Sequence, residues 1–288
     1  MTSSTQLLVI DPQNDFCDLP ADWCPVDPLT SARIAPALPV AGAHADLQRV
    51  AALLDQAGHA IDDVAYTLDS HQHLDIAHPT FWQQGEGDAH PVDPFTQVTA
   101  AQVRDGRYRP RDPAALPRVL AYLDALESRG RYTLMVWPVH CEIGSWGHGV
   151  HAALRAAGNR WEERRQRNIV KVTKGENPWT EHYSAVMAEV PLDDDAHTRL
   201  NRSLVDWAAR AGRLLVAGEA SSHCVRATTE DLVAHLPAAQ ASRIVLLTDC
   251  MSPVAGFQAQ HDAFLAGMRA RGVRLATSAE VAADLARA

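Results

Sequence analysis

The sequence predicts an α/β protein, a three-layer α/β/α sandwich around a twisted, mainly parallel sheet. Three observations predict it. Short β-rich apolar runs alternate with longer segments whose apolar residues recur at helical spacing. The runs are mostly bounded by Asp, Pro or Gly and are apolar throughout, as strands buried on both faces are. The chain has 288 residues, 47% hydrophobic and 21% charged, a balance that can bury a sizeable core and that excludes a disordered or fibrous chain.

In order, Gln6–Ile10 is a strand ending at Asp11, Ala43–Ala57 a helix and Val64–Leu68 a second strand. Leu116–Ser128 reads as a helix, and Tyr132–Trp137 and Ile169–Val172 as further buried strands. Helices over Asp194–Ala211, His223–His235, Ala255–Arg271 and Ala279–Ala286 then alternate with strands over Leu214–Ala217, Ile244–Leu247 and Val273–Ala276. Such alternation implies right-handed crossovers and places ligands beyond the carboxyl ends of the strands. Pro79–Pro117 breaks the rhythm, being rich in Pro, Gly, Gln and charge without apolar periodicity. We expect an irregular insertion there, at about 79–117, within one domain spanning 1–288. A connection of that length commonly serves as a lid or an interface element.

The net charge of −9 argues against a strongly basic nucleic-acid binder. No apolar run approaches the ~18 residues that span a bilayer. The opening MTSSTQLLVIDPQNDF lacks the basic and apolar regions of a targeting peptide. Five scattered cysteines suggest a reducing compartment. We therefore expect a cytoplasmic protein acting on small molecules, with no nucleic-acid or membrane partner. The 26 basic residues comprise 24 arginines and two lysines, Lys171 and Lys174. Either a lysine answers a need for a compact, tunable ammonium, or codon bias makes the contrast.

The strand ends hold the reactive residue types. Asp11 follows the first strand, as a turn former or as a catalytic carboxylate. Asp69 and His71 end the second strand two residues apart, so both side chains point the same way. They read as a divalent-metal pair or as part of a polar loop with His73 and His78. His140 follows the next apolar run and is placed to join Asp69 and His71, whereas the adjacent Cys141 faces the opposite way. His148 and His151 read as members of the helix that follows, as helix-surface or loop-packing residues and not as ligands. Lys174 ends a strand before Gly175, with Lys171 on the other face toward solvent. Cys224 stands in the first turn of a helix, where free N–H groups favour a thiolate and can hold an oxyanion. Buried cysteines are also commonly inert packing.

In order along the chain, LLVIDPQNDF, TLDSH, WPVHC, KG followed by YSA, and AGEASSHCV resemble the isochorismatase-like cysteine hydrolases, and TLDSH and WPVHC are similar to the nicotinamidase branch. The resemblance covers nearly the whole chain. It implies a six-stranded parallel sheet with flanking helices. It also implies Cys224 as nucleophile, Asp11 as general base and acid, and Lys174 as the cation that keeps both poised. Ala220 and Cys224 would supply the oxyanion-hole N–H groups, with a cis peptide at Glu219–Ala220. Asp69, His71 and His140 would hold one divalent metal, for which Zn, Fe or Mn suits the ligand types; no organic cofactor is implied. Phe16, Trp137 and Tyr183 match aromatic positions near the substrate ring, or are ordinary core.

The chain departs from the family's pattern in three places. TLDSHQH lacks the tryptophan and proline usual around the ligand pair, which leaves His73 or His78 as an extra or alternative ligand. GEASSHCV carries Ala-Ser-Ser where alanine-threonine-aspartate is common, and the 79–117 insertion is long. The expected reaction is hydrolysis of nicotinamide to nicotinate and ammonia through a thioester, in a self-associating enzyme. The alternatives are a related amidohydrolase for a ureido, carbamoyl or other aromatic amide, and a binding protein with a vestigial site.

Overall fold

The computed structural model describes residues 4–85 and 90–287. In chain order its elements begin with β1 (Thr5–Ile10), α1 (Ala43–Ala57), β2 (Asp63–Asp69), β3 (Trp82–Gln84), β4 (His90–Pro91) and β5 (Thr96–Val98). There follow α2 (Ala100–Arg104), β6 (Tyr108–Pro110), α3 (Leu116–Ser128), β7 (Leu134–Val136), α4 (Ala152–Arg165) and β8 (Val170–Lys174). The rest are α5 (Arg202–Ala209), β9 (Arg213–Gly218), α6 (Cys224–His235), β10 (Ile244–Leu247), α7 (Gln258–Ala270), β11 (Arg274–Ala276) and α8 (Ser278–Leu285).

Six strands form one parallel sheet in the order β11-β10-β9-β1-β2-β8. Every residue of the central β1 is buried, which is why its sequence is an apolar run with no alternation. From β1 the chain winds outward through β2 to β8, then returns past β1 to β9 and winds the other way. With right-handed crossovers, this reversal places α1 and α4 on one face and α5, α6 and α7 on the other. α1 packs against α4 and α8, and α6 against α5 and α7. The reversal falls between β1 and β9, the switch point at which open α/β sheets bind ligands. Register completes the arrangement, pairing Ile10 with Gly218 and Asp69 with Lys174, so the strands end at one level.

Three expectations are corrected. The Tyr132–Trp137 run supplies no strand to the main sheet; β7 pairs antiparallel with β5. Its apolar character reports burial, and burial in a second cluster with Ile76, Trp82, Val98 and Leu123 satisfies it equally. The 79–117 stretch is not irregular, for β3, β4 and β6 make an antiparallel three-stranded sheet and α2 carries a Thr99–Gln102 capping box. Residues 86–89 of that stretch lie outside the described residues. Its apolar anchors, Phe81, Trp82, Val92, Val98, Val103 and Tyr108, follow neither strand nor helix periodicity, so no repeat announced them. Asp194–Ala211 is also shorter than expected, with α5 beginning only where the Asn201 side chain accepts the Leu204 N–H at 3.1 Å.

Candidate active site

Asp11, Lys174 and Cys224 come together at the switch point, all buried. Lys174 Nζ lies 3.0 Å from Asp11 Oδ2 and 3.6 Å from Cys224 Sγ. It also donates to Asp69 Oδ1 at 2.8 Å and to the His182 carbonyl at 2.9 Å. Lys171, by contrast, is exposed and 3.4 Å from Glu162. The strand register explains the difference between the two lysines, since Lys174 pairs with Asp69 at the carboxyl end of the sheet.

Asp11 is held by Thr67, whose Oγ1 accepts the Asp11 N–H at 3.0 Å and donates to Asp11 Oδ1 at 2.5 Å. Gln13 ties the two strand ends together, donating to the Asp69 carbonyl and accepting the Asp69 N–H, both at 2.7 Å. Gly218 (φ +115°) allows β9 to approach β1, because a Cβ there would lie 2.0 Å from the Ile10 carbonyl oxygen. The Glu219–Ala220 peptide that follows is cis. α6 then starts at Cys224 with no side chain capping it. Among the described residues nothing accepts the N–H groups of Ala220 and Cys224, which leaves two donors free beside the thiol.

The charges are mutually dependent. Burial alone penalises the Lys174 ammonium, but Asp11 and Asp69 outweigh it and hold its pKa well above the usual lysine value. Burial raises the Asp11 carboxyl against the opposing pull of Lys174, and raises the Cys224 thiol in the same way. The pair therefore consists of a basic carboxylate and a thiol that needs a base, with a fixed cation beside both.

Asp69, His71 and His140 converge next to this triad. Asp69 Oδ2 is 3.2 Å from His71 Nε2 and 3.3 Å from His140 Nε2. Donors held ~2.1 Å from one ion stand about 3.0 to 3.4 Å apart at octahedral to tetrahedral angles, so the spacing fits a divalent cation. Both imidazoles turn Nε2 inward because Nδ1 is engaged, in His71 by Asp75 Oδ2 at 3.1 Å and in His140 by the Pro138 carbonyl at 2.8 Å. His78 joins the cluster, with Nε2 3.3 Å from His140 Nδ1, and burial holds its pKa down at about 2, leaving a neutral imidazole. His73 does not; it is exposed and 3.1 Å from Glu142. Gly175 (φ +84°) borders the cluster, where a Cβ would lie 3.1 Å from Asp69 Oδ1.

A small cavity opens onto both groups and is lined by Phe16, Asp69, Trp137, His140, Tyr183 and Cys224, among others. Trp137 Nε1 donates to Tyr183 Oη at 3.0 Å, and the Phe16 ring meets His140 edge-on at 5.4 Å. Four further residues of this wall escaped sequence reasoning: Leu38, Glu181, His223 and Val254. For His223 the signal was its place beside Cys224; for Leu38, Glu181 and Val254 there was none. Cys141 contributes its backbone, its carbonyl accepting the His71 N–H at 3.1 Å. His148 precedes α4 and contacts Ser70 Oγ at 2.9 Å, and His151 is the buried residue before the helix, so both pack in the loop and neither lies within the helix.

No protein-family model matches the chain, and no curated protein sequence does. Solved structures do match in fold. A nicotinamidase/pyrazinamidase from Acinetobacter baumanii is 18% identical with a TM-score of 0.61, over 98% of this chain and 99% of that one. The yeast nicotinamidase bound to the inhibitor nicotinaldehyde is 18% identical with a TM-score of 0.58, over 95% and 99%. The pyrazinamidase of Pyrococcus horikoshii in complex with zinc is 17% identical with a TM-score of 0.53, over 95% and 99%. The chain thus has the isochorismatase-like α/β fold that these proteins share. Among its described residues no helix is long and apolar enough to cross a membrane.

Proposed function

We propose that the protein is a cysteine amidohydrolase that converts nicotinamide to nicotinate and ammonia. One observation carries this reading: Cys224 Sγ, Lys174 Nζ and Asp11 Oδ2 lie within 3.6 Å and 3.0 Å of one another in succession, with Cys224 lining a small aromatic cavity. Asp11 takes the thiol proton as Cys224 attacks the amide carbon, and Lys174 offsets the negative charge that moves between them. The free N–H groups of Ala220 and Cys224 are the donors for the oxyanion. Asp11 returns the proton to the departing nitrogen, ammonia leaves, and water hydrolyses the thioester on Cys224.

Asp69, His71 and His140, with His78 beside them, would hold a divalent metal, which supplies a Lewis acid able to anchor a pyridine nitrogen. Phe16, Trp137 and Tyr183 flank the space for a planar ring. The zinc named with one neighbour of the same fold, and the nicotinamidase names of others, support this choice of substrate class. Ammonia release from nicotinamide, with and without a strong chelator, tests the reading. A metal-replete preparation that leaves nicotinamide intact sinks it in favour of another amide, which a panel of ureido, carbamoyl and aromatic amides would identify.

A further inference from the structure

Behind the two free N–H groups lies a buried acidic pair that the hydrolytic steps do not use. Glu219 is fully buried, and its Oε2 accepts the Ser252 N–H at 3.2 Å. Ser252 Oγ donates to Asp46 Oδ2 at 2.6 Å, and the Ser252 carbonyl accepts the Ser221 N–H at 2.9 Å. Ser252 therefore grips the loop on both sides of Ala220 and fastens it to α1, where Arg49 pairs with the other oxygen of Asp46. The Glu219 N–H is itself held by the Ile10 carbonyl at 2.8 Å, one residue before Asp11.

We propose that Glu219, Ser252 and Asp46 form a positioning strut that keeps the Ala220 N–H aimed at the Cys224 site. The proposal rests on the amidase reading, because the aim of this donor matters to rate only when an oxyanion develops beside it. The strut closes with Glu219 as a neutral acid. Both carboxyls are buried on Ser252 and Glu219 Oε1 has no hydrogen-bond partner among the described residues, so one proton shared between the two acids removes an unpaired buried charge. Asp46, Asp18 and Cys17 lie within electrostatic reach of Glu219, with Arg49 as the cation on Asp46. Burial and Asp46 both push the Glu219 carboxyl well above the usual range, in keeping with that proton.

The test compares wild type, Glu219→Gln, Glu219→Ala and Ser252→Ala in nicotinamide kinetics and in melting curves between pH 5 and 8. Gln copies the protonated acid, so it should keep kcat within about threefold, while Glu219→Ala should lose roughly 10²-fold in kcat with KM little changed. Ser252→Ala keeps the backbone contacts and should lose about tenfold, which covers the case of an unfolded Glu219→Ala. The Tm of Glu219→Gln should gain on wild type as pH rises, since the wild-type proton becomes harder to keep. Full kcat in both alanine variants, Gln as damaging as Ala, or a Tm difference that does not change with pH overturns the strut. A wild type without amide turnover overturns the amidase reading instead, and the pH series still reads the shared proton.

Discussion

Lys174 and Asp69 meet at 2.8 Å, and through this contact the Asp11–Lys174–Cys224 group and the histidine cluster become one site. Asp69 Oδ1 faces the ammonium while Oδ2 faces His71 and His140. Burial pushes Asp69 up, but His71 and Lys174 outweigh it and hold the carboxyl well below the usual range, so it stays ionised toward both partners.

Cys224→Ala should remove turnover by roughly 10³-fold or more while the protein still folds, because the sulfur fills little of the core and faces the cavity. Ammonia release and a thermal melt on the same preparation check this. Retained turnover would overturn the proposed nucleophile.

Lys174→Met should be both inactive and unstable. It leaves Asp11 and Asp69 buried without their cation, and breaking a buried pair in this way costs about 3–5 kcal/mol. Lys174→Arg keeps the charge, but its planar fork cannot replace a compact ammonium among four close partners, so it should fold better than the Met variant and remain slow. Urea unfolding and steady-state rates separate these outcomes; a fully active Arg variant contradicts the proposed role.

Asp75→Ala should weaken metal retention about 10- to 100-fold without touching the ion, since it frees the His71 Nδ1 that Asp75 now orients. Chelator titration followed by elemental analysis measures it. Retention equal to wild type would show that His71 is oriented by packing alone, or that no metal is held there.

Glu189 should make stability fall between about pH 4.5 and 7. Burial, partly opposed by Arg131, raises its pKa from 4.5 to about 7, so in that window the folded chain binds a proton that the unfolded chain has released. The stabilisation is complete below the lower value and is lost as pH rises through the upper one, up to roughly 3 kcal/mol. Urea unfolding of wild type and Glu189→Gln across this range tests the sign: the wild-type stability should decline relative to the variant, and parallel curves reject it.

The main sheet was legible in sequence because strands buried on both faces are written as unbroken apolar runs, as in Gln6–Ile10 and Ile244–Leu247. The two cores were not, for an apolar run such as Leu134–Val136 specifies burial without naming its partner, and the anchors around Trp82 have no period. Among the polar residues, the sequence by itself determined which chemically capable side chains stand at strand ends: Asp11, Asp69, His71, Lys174 and Cys224. Tertiary structure decided which of them meet, and which others join. Asp75 reaches His71 within one loop, Ser252 reaches Glu219 from 33 residues away, and His78 enters the cluster while His73 turns to solvent. Spacing along a chain fixes only the direction of neighbouring side chains, whereas distances between segments come from sheet register and packing, which no local pattern encodes.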